Sequence, residues 1–182
     1  MTVTTERTFA VEEIRVPDSR LAREITQLVR DTESALLFHH SSRVYHWGAL
    51  AGTRRGLRFD PELLYAGAMF HDMGLTHQHS TEQERFEVDS ANAARDFLRS
   101  HGVHQQDIET VWRAIALHTT PGIPQHMHPV VALVTAGVEM DVLGLAYSEY
   151  SDAEPRGGGA CTSAYSAFQG RHHPGLLRWQ QA

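Results

Sequence analysis

The chain of 182 residues has the length of a single domain, which is enough to bury well over half of the surface that its unfolded form exposes. Its hydrophobic fraction of 41% and its charged fraction of 21% are ordinary for a globular protein. A net charge of -6, with no run of basic residues, argues against a nucleic-acid or membrane partner. These values leave a small molecule as the expected partner.

Targeting signals and cysteine content indicate the cellular compartment in which the protein is expected. Residues 1–15 contain three acidic residues and no apolar run, so the sequence predicts no signal peptide. No segment approaches the roughly 18 consecutive apolar residues that a membrane-spanning helix needs. The single cysteine, Cys161, excludes an intramolecular disulfide and suits a reducing compartment. We therefore expect a cytoplasmic protein, and the sequence leaves homo-oligomerisation open.

The first half of the chain carries three helix signals. Asp18 and Ser19 can cap a helix, and apolar residues at helical spacing follow them. A second helix is predicted from Ala35 to Ala51, with His40 on its inward side. Asp60-Pro61-Glu62 combines a capping residue, a first-turn proline and an acid. A third helix should therefore begin there, and it should end near Gly74.

The second half of the chain predicts three more helices. The first of these begins at Asp89 or Ser90 and ends at Gly102. The next spans Asp107 to His118 and is stopped by a proline, and the last runs from Pro129 through Leu145. Since no segment shows sustained strand alternation, the sequence predicts an all-α helical bundle.

Both ends of the chain differ from the helical part. The segment from Phe9 to Val16 is a weak strand candidate, and residues 1–18 are assigned to an N-terminal extension. From Pro155 to Ala182 there is no acidic residue and no helical stripe, and Gly157-Gly158-Gly159 form a glycine run. We therefore predict a helical metal-binding domain at 19–154 and an irregular, atypical tail at 155–182. Disorder, a shifted reading frame or a truncated natural variant would each explain such a tail.

A histidine and an aspartate directly follow the apolar run of the third helix. His71 and Asp72 come after Met69 and Phe70, and two polar side chains at such a place are costly unless they are paired or bind a ligand. At a helix end both side chains can turn toward one cation. Imidazole plus carboxylate is a ligand set that Zn, Fe and Mn accept. The pair by itself would also fit a helix cap or a surface ion pair.

Three further polar residues lie on other predicted helices. His40 is on the inward side of the second helix. Asp141 interrupts an apolar helix and needs a partner, which is either a metal or an arginine such as Arg43. His118 ends an apolar run, where it either faces the site or caps the helix as a hydrogen-bond donor. If these helices converge, the residues predict a buried metal site.

In chain order these residues are His40, His71 with Asp72, His118 and Asp141. The order resembles the signature of the HD-domain superfamily, whose members are helical metal-dependent enzymes and mostly phosphohydrolases. The resemblance implies a single HD-domain helical bundle. It also implies that His40, His71, Asp72 and Asp141 bind the metal, and that His118 binds a second metal or the substrate.

At Leu75 the sequence differs from two branches of that superfamily that act on phosphate substrates. Phosphodiesterases of the HD-GYP type have a lysine at this position, and nucleoside-monophosphate phosphatases have a glutamate there. Because the chain contains no lysine, Arg43 and Arg85 are the candidate phosphate clamps near the site. Both departures weaken the case for a phosphate substrate. A phosphohydrolase acting on a nucleotide or another phosphoester is kept as the alternative function.

A longer stretch is similar to the cyanamide hydratase-like branch. His71-Asp72-Met73-Gly74-Leu75-Thr76, followed by Arg85-Phe86-Glu87, resembles the HDxGxT…FE pattern of that branch. The resemblance implies addition of water to cyanamide or a related nitrile at a bound zinc, with Fe(II) or Mn(II) as the other candidate metals. It implies that Thr76, Glu87 or His118 orients the substrate or shuttles protons, together with Asp72. A surface position is the alternative for Glu87, and a metal- or ligand-binding module without turnover is the alternative for the chain.

Overall fold

Six α-helices make up the part of the chain that the structure, a computed structural model, describes, which is residues 14–145. They are α1 (Arg20–Thr32), α2 (Ala35–Arg54), α3 (Pro61–Phe70), α4 (Phe86–Ser100), α5 (Gln105–Ala116) and α6 (Pro129–Leu143). Two single turns of 3-10 helix, Met73–Leu75 and Pro124–His126, lie in the connections after α3 and α5. No strand occurs within residues 14–145, so the all-α prediction is confirmed for this range.

Some sequence predictions concern residues outside this range. The tail predicted at 155–182 lies entirely outside it, and so do residues 9–13 of the strand candidate. Residues 14–16 of that candidate are not in a strand. Among the helices of the described range, none is both long and apolar enough to cross a membrane.

Side-chain caps begin the first three helices where the sequence predicted them. The hydroxyl oxygens of Ser19 and Ser34 accept hydrogen bonds from the backbone N–H groups of Ala22 and Leu37. The Asp60 carboxylate accepts from two N–H groups in the first turn of α3. Each cap satisfies N–H groups that have no partner inside their own helix. The predicted starts of α1, α2 and α3 are therefore confirmed.

The start of α4 was predicted wrongly. The helix begins at Phe86 and not at Asp89 or Ser90. Asp89 does not cap it, because its carboxylate accepts hydrogen bonds from the backbone N–H and the hydroxyl of Thr81, at 2.6 and 2.9 Å. The Ser90 hydroxyl is also engaged, since it accepts a hydrogen bond of 2.7 Å from the backbone N–H of Gly74. Asp89 and Ser90 therefore do not begin the helix. They form hydrogen bonds with Thr81 and Gly74, which precede it in the chain.

Other boundaries also differ from the prediction, and α2 ends at Arg54 and not at Ala51. α3 ends at Phe70, four residues before Gly74, and the separate 3-10 turn follows it. α5 spans Gln105–Ala116 and not Asp107 to His118. α6 ends one residue before Gly144, whose φ of 65° lies in the left-handed region that favours glycine. The consequence for the site is that His71, Asp72 and His118 lie just beyond helix ends and not within helices.

α3 is the central helix of this bundle. Every residue from Leu64 to Phe70 is buried, and the helix contacts all five other α-helices. A short helix that is apolar all round is expected to be surrounded in this way. Its C-terminal end therefore delivers the next two residues, His71 and Asp72, into the middle of the bundle.

α2 and α6 run antiparallel and approach each other very closely. A Cβ atom added to Gly48 would lie 2.6 Å from the backbone oxygen of Leu133. A Cβ atom added to Gly137 would lie 2.2 Å from the backbone oxygen of Val44. Only glycine allows this approach at the two positions. The same register, one turn further along, brings the polar residues of the two helices together.

Candidate metal centre

His71 is the most buried polar residue of the site, with no exposed surface. Its Nδ1 donates a hydrogen bond of 2.7 Å to the backbone oxygen of Ala68, which lies on the last turn of α3. That bond fixes the tautomer and leaves Nε2 as the atom that faces the site. Burial, with a smaller effect from the neighbouring His40, lowers the pKa of His71 to about 3. The ring is therefore neutral near pH 7, which is the state in which imidazole binds a metal.

His40 on α2 is oriented by Asp141 on α6. Its Nδ1 lies 2.6 Å from Asp141 Oδ2, so the ring donates to a carboxylate. Arg43 binds the same carboxylate through two hydrogen bonds, of 2.6 Å to Oδ1 and 2.9 Å to Oδ2. Burial raises the pKa of the Asp141 carboxyl, but the hydrogen bonds from His40 and Arg43 outweigh it and hold that pKa below its usual value. Asp141 is therefore a carboxylate with its oxygens occupied, and it directs His40 Nε2 toward His71.

Three side chains bring their ligand atoms together at this point. His40 Nε2 and His71 Nε2 are 3.1 Å apart, and Asp72 Oδ2 lies 3.6 Å from the first and 3.4 Å from the second. All these atoms fall within 4.8 Å of one another. The side chains of His40 and Asp72 are only 14% and 11% exposed, so the group is largely screened from solvent.

These distances fit a divalent metal. Nδ1 of His40 and Nδ1 of His71 each have a hydrogen-bond acceptor, so each ring has Nε2 left to offer a lone pair, and the two Nε2 atoms face each other. Two lone pairs repel unless a cation or a proton lies between them. Two ligand atoms each about 2.0–2.1 Å from a tetrahedral zinc ion would be about 3.3 Å apart. The three observed separations lie close to this value, so the donor set and its spacing both suit such an ion.

His118 lies on the other side of Asp72. Its Nδ1 donates 2.7 Å to the backbone oxygen of Ile115, and its Nε2 is 3.8 Å from Asp72 Oδ1. Burial, followed by the nearby His71, lowers the pKa of His118 to about 4, so this ring is also neutral near pH 7. His118 thus adjoins the three-residue group and is not part of it. The hydrogen bond to Ile115 is the helix-capping contact that the sequence allowed as an alternative.

Asp141 is likewise not part of the three-residue group. The ion pair with Arg43, which the sequence allowed as its alternative partner, is present at 2.6 Å. The structure therefore brings His40, His71 and Asp72 together and places Asp141 behind His40. Its predicted role as a metal ligand stays a prediction.

Glu87 lies in the first turn of α4 and is only 2% exposed, so the alternative of a surface position is wrong. Its carboxylate accepts hydrogen bonds of 3.2 and 2.5 Å from Arg85 and one of 2.5 Å from the hydroxyl of Thr119. Burial raises the pKa of Glu87, but these hydrogen bonds outweigh it and hold the pKa below its usual value. The group borders the site, because Thr119 follows His118 and the ring of Phe86 contacts the His118 ring at 5.7 Å between centroids.

Thr76 lies just after the 3-10 turn that follows Asp72. Its hydroxyl donates a hydrogen bond of 2.6 Å to the backbone oxygen of Met73, and its backbone N–H bonds the same oxygen. Both contacts are local and close the turn. The predicted role of Thr76 toward a substrate stays a prediction.

The sequence interpretation missed Glu33. This residue follows α1 and precedes the capping Ser34 of α2, and it is only 8% exposed. Its Oε2 accepts a hydrogen bond of 3.4 Å from Ser41, and burial followed by repulsion from Asp72 raises its pKa to about 8. A glutamate between two polar residues at a helix junction is ordinarily exposed, so the sequence offers no signal for this burial.

Comparison with known protein families agrees with the fold. The sequence pattern of the HD domain matches residues 37–153, which is well over half of the chain, and the chain belongs to the HD domain family. Members of this family are generally metal-dependent hydrolases that bind divalent metals. His40, His71 and Asp72 all lie within the matched range. A search among curated proteins found no match.

Proposed function

We propose that this protein is a metal-dependent enzyme that adds water to a small neutral nitrile such as cyanamide. The observation that carries the proposal is the convergence of two imidazole nitrogens and one carboxylate oxygen at metal-binding distances. His40, His71 and Asp72 would hold the ion, with zinc favoured and Fe(II) or Mn(II) as the alternatives. A bound ion of this kind supplies a Lewis acid and activates water near neutral pH.

A neutral substrate is supported by the state of two arginines. Arg43 is paired with Asp141, and Arg85 is paired with the buried Glu87. Because each of the two guanidinium groups that could have clamped a phosphate already has a carboxylate partner, neither adds an uncompensated positive charge beside the site. A small uncharged molecule suits such surroundings better than a phosphoester.

Three residues around the metal group have further roles in the proposed reaction. His118 is neutral and presents Nε2 toward Asp72, so it is placed to take a proton from the attacking water. Glu87 holds Arg85 and the Thr119 hydroxyl beside His118, which fixes that edge of the site. Thr76 closes the turn behind Asp72.

The test is a combined measurement of metal content and turnover. The purified, metal-replete protein should convert cyanamide to urea, and His71→Ala should lose both metal and activity. Release of phosphate from a panel of nucleotides and other phosphoesters, without urea from cyanamide, would make the protein a phosphohydrolase and overturn the proposal. Bound metal without turnover of either class would identify a binding module instead.

A further inference from the structure

Asp72 and His118 belong to two separate connections of the chain, one after α3 and one after α5. Neither residue lies within an α-helix. Asp72 Oδ1 and His118 Nε2 are nevertheless only 3.8 Å apart, and both side chains are largely buried. A short distance between two connections requires an element that holds both of them, and the start of α4 (residues 86–90) contacts each one.

The start of α4 is bonded to the turn that follows Asp72. Ser90 is fully buried, and its hydroxyl oxygen accepts a hydrogen bond of 2.7 Å from the backbone N–H of Gly74. Gly74 also packs directly on this helix, because an added Cβ atom would overlap the backbone oxygen of Phe86. The N–H of Leu75 bonds the backbone oxygen of Asp72 at 2.9 Å, so the turn that Ser90 holds includes Asp72.

The start of α4 also contacts His118 and the residue after it. The ring of Phe86 lies against the His118 ring in an edge-to-face contact, with 5.7 Å between the centroids and 70° between the planes. The carboxylate of Glu87 accepts a hydrogen bond of 2.5 Å from the hydroxyl of Thr119. Because residues three and four positions apart are neighbours on a helix surface, Phe86 and Glu87 both lie beside Ser90. One side of α4 therefore holds both connections.

The hydrogen bond of Ser90 differs from those of other hydroxyls on the helices. Serine and threonine side chains within a helix commonly bond a backbone oxygen of the preceding turn. Several hydroxyls of this protein donate to their own helix in this way, as Ser42, Thr53 and Ser100 do. The Ser90 oxygen accepts its bond from Gly74, 16 positions away in the chain. This bond therefore joins α4 to the turn that carries Asp72, and it is not needed to form the helix.

We propose that Ser90 is a positioning residue that places Asp72, and that the start of α4 thereby sets the distance between Asp72 and His118. Ser90 acts on one side of this pair and Glu87 on the other. The part that concerns His118 rests on the proposed function, in which His118 takes a proton from the attacking water. Proton transfer needs its groups within hydrogen-bond reach, and a displacement of about 1 Å can lower a rate by about 100-fold.

The first variant, Ser90→Ala, tests the Asp72 side. It removes the acceptor of the Gly74 N–H group, so Asp72 should move relative to the metal group and to His118. Zinc affinity and kcat for urea formation should each fall by about 10- to 100-fold, the usual cost of losing a residue that orients a ligand. KM should change little, because Ser90 is bonded to the turn and not to a substrate.

The second variant, Thr119→Val, tests the His118 side alone. It removes the hydroxyl that bonds Glu87 and keeps the shape of the side chain. The value of kcat should fall by up to about 100-fold, whereas zinc affinity should stay at the wild-type value, because His118 is not part of the three-residue group. Ser100→Ala, at the exposed other end of α4, and Thr53→Val, whose hydroxyl bonds its own helix, are the matched controls. Both controls should match the wild type.

The nitrogen-15 magnetic resonance signals of the histidine rings give a readout that does not depend on turnover. In the metal-free protein, Ser90→Ala should shift the Nε2 signal of His118, because this atom faces Asp72. The signal that is missing from His118→Asn identifies the ring. The signal of the exposed His46 should stay unchanged in Ser90→Ala.

These measurements separate the positioning role from the proposed function. If the wild type makes urea and Ser90→Ala keeps the wild-type kcat, the positioning role is overturned while the function stands. If the wild type makes no urea from cyanamide, the function fails, and the zinc affinity and the His118 signal decide the role of Ser90. A lower unfolding midpoint of Ser90→Ala with both of these values unchanged would show that Ser90 only stabilises the fold.

Discussion

Each ring nitrogen of His71 has a separate partner. Nδ1 donates to Ala68, and Nε2 faces His40 and Asp72. A His71→Ala substitution removes one of the three converging groups, so we expect the protein to bind its metal more than about 100-fold more weakly, beyond the usual cost of losing a supporting residue. Competition with a chelator and elemental analysis measure this change.

His46→Ala is the control for that substitution. His46 is exposed on α2, and its ring bonds only the backbone of its own helix, at Ser42. Metal content should be unchanged in this variant. Full metal occupancy in His71→Ala would contradict the assignment of the site.

A substitution of Asp141 distinguishes two roles for this residue. Asp141 either binds the metal directly or orients His40, which binds it. Its carboxylate reaches the site through His40 Nδ1. We expect Asp141→Asn to weaken metal affinity by about 10- to 100-fold, the usual cost of losing an orienting carboxylate. The measurement is the dissociation constant for zinc in the variant and in His71→Ala. An equally complete loss in both would instead make Asp141 a direct ligand, as its resemblance to the family signature implies.

The pKa of Glu33 predicts a pH dependence of stability. Between its ordinary value of 4.5 and about 8, the folded protein holds a proton that the unfolded chain has released. Glu33 therefore lowers the free energy of unfolding as pH rises through this range, by up to about 1.4 kcal/mol per pH unit. In Glu33→Gln this contribution is absent, so the variant should gain stability relative to the wild type from about pH 5 to about pH 8.

Denaturant unfolding of the metal-free proteins across that range measures the difference. The contributions of His71 and His118 are common to both proteins and cancel in the comparison. Glu109→Gln is the control, because it removes an exposed carboxylate that pairs with Arg113 on the same helix. Its free energy of unfolding should follow that of the wild type at every pH. Parallel curves for Glu33→Gln and the wild type would show that Glu33 titrates as an ordinary carboxyl.

At the scale of elements, the close packing of α2 on α6 sets the distance between His40 and Asp141. Gly137→Ala adds a Cβ atom 2.2 Å from the backbone oxygen of Val44, which cannot move without displacing a helix. Although alanine favours a helix over glycine by about 1 kcal/mol, overpacking should make the variant less stable by about 1–3 kcal/mol. Its affinity for metal should fall as well, because the two helices are forced apart.

Gly67→Ala in α3 is the matched control. The atoms that its Cβ would meet belong to side chains, Cγ2 of Val134 at 2.8 Å and Cβ of Ala114 at 3.7 Å. Side chains can shift more cheaply than a backbone, so the loss of stability should be smaller. Denaturant unfolding of both variants checks the order, and equal stability of Gly137→Ala and the wild type would refute the argument.

At the scale of the whole molecule, the metal would join helices that are distant in the chain. His40 comes from α2 and is itself held by Asp141, 101 positions away on α6, whereas His71 and Asp72 come from the end of the central helix. An ion that binds only the folded state at about 100 times its dissociation constant adds about 2.7 kcal/mol, or roughly 5–10 °C in the unfolding midpoint for a chain of this size. Thermal unfolding with zinc and with a chelator measures the shift. It should be absent in His71→Ala, and a shift of equal size in that variant would place the metal elsewhere.

The sequence by itself determined the elements and the candidate chemistry. Local capping by Ser19 and Asp60 determined two helix starts, because a cap needs only residues near it in the chain. The prediction from capping residues was wrong at α4, because Asp89 accepts a hydrogen bond from Thr81 in the preceding loop and does not cap the helix. The order of the histidines and aspartates was enough to indicate the HD family, since it does not depend on how the helices pack.

The tertiary structure decided which partner each polar residue has. Asp141 could have bound a metal or Arg43, Glu87 could have been exposed, and Glu33 gave no signal at all. For Asp141 and Glu87 the answer depends on contacts that are distant in sequence, with Arg43 98 positions away and with Thr119 32 positions away. Burial and pKa follow from that packing, because both depend on what surrounds a group in space and not on its neighbours along the chain.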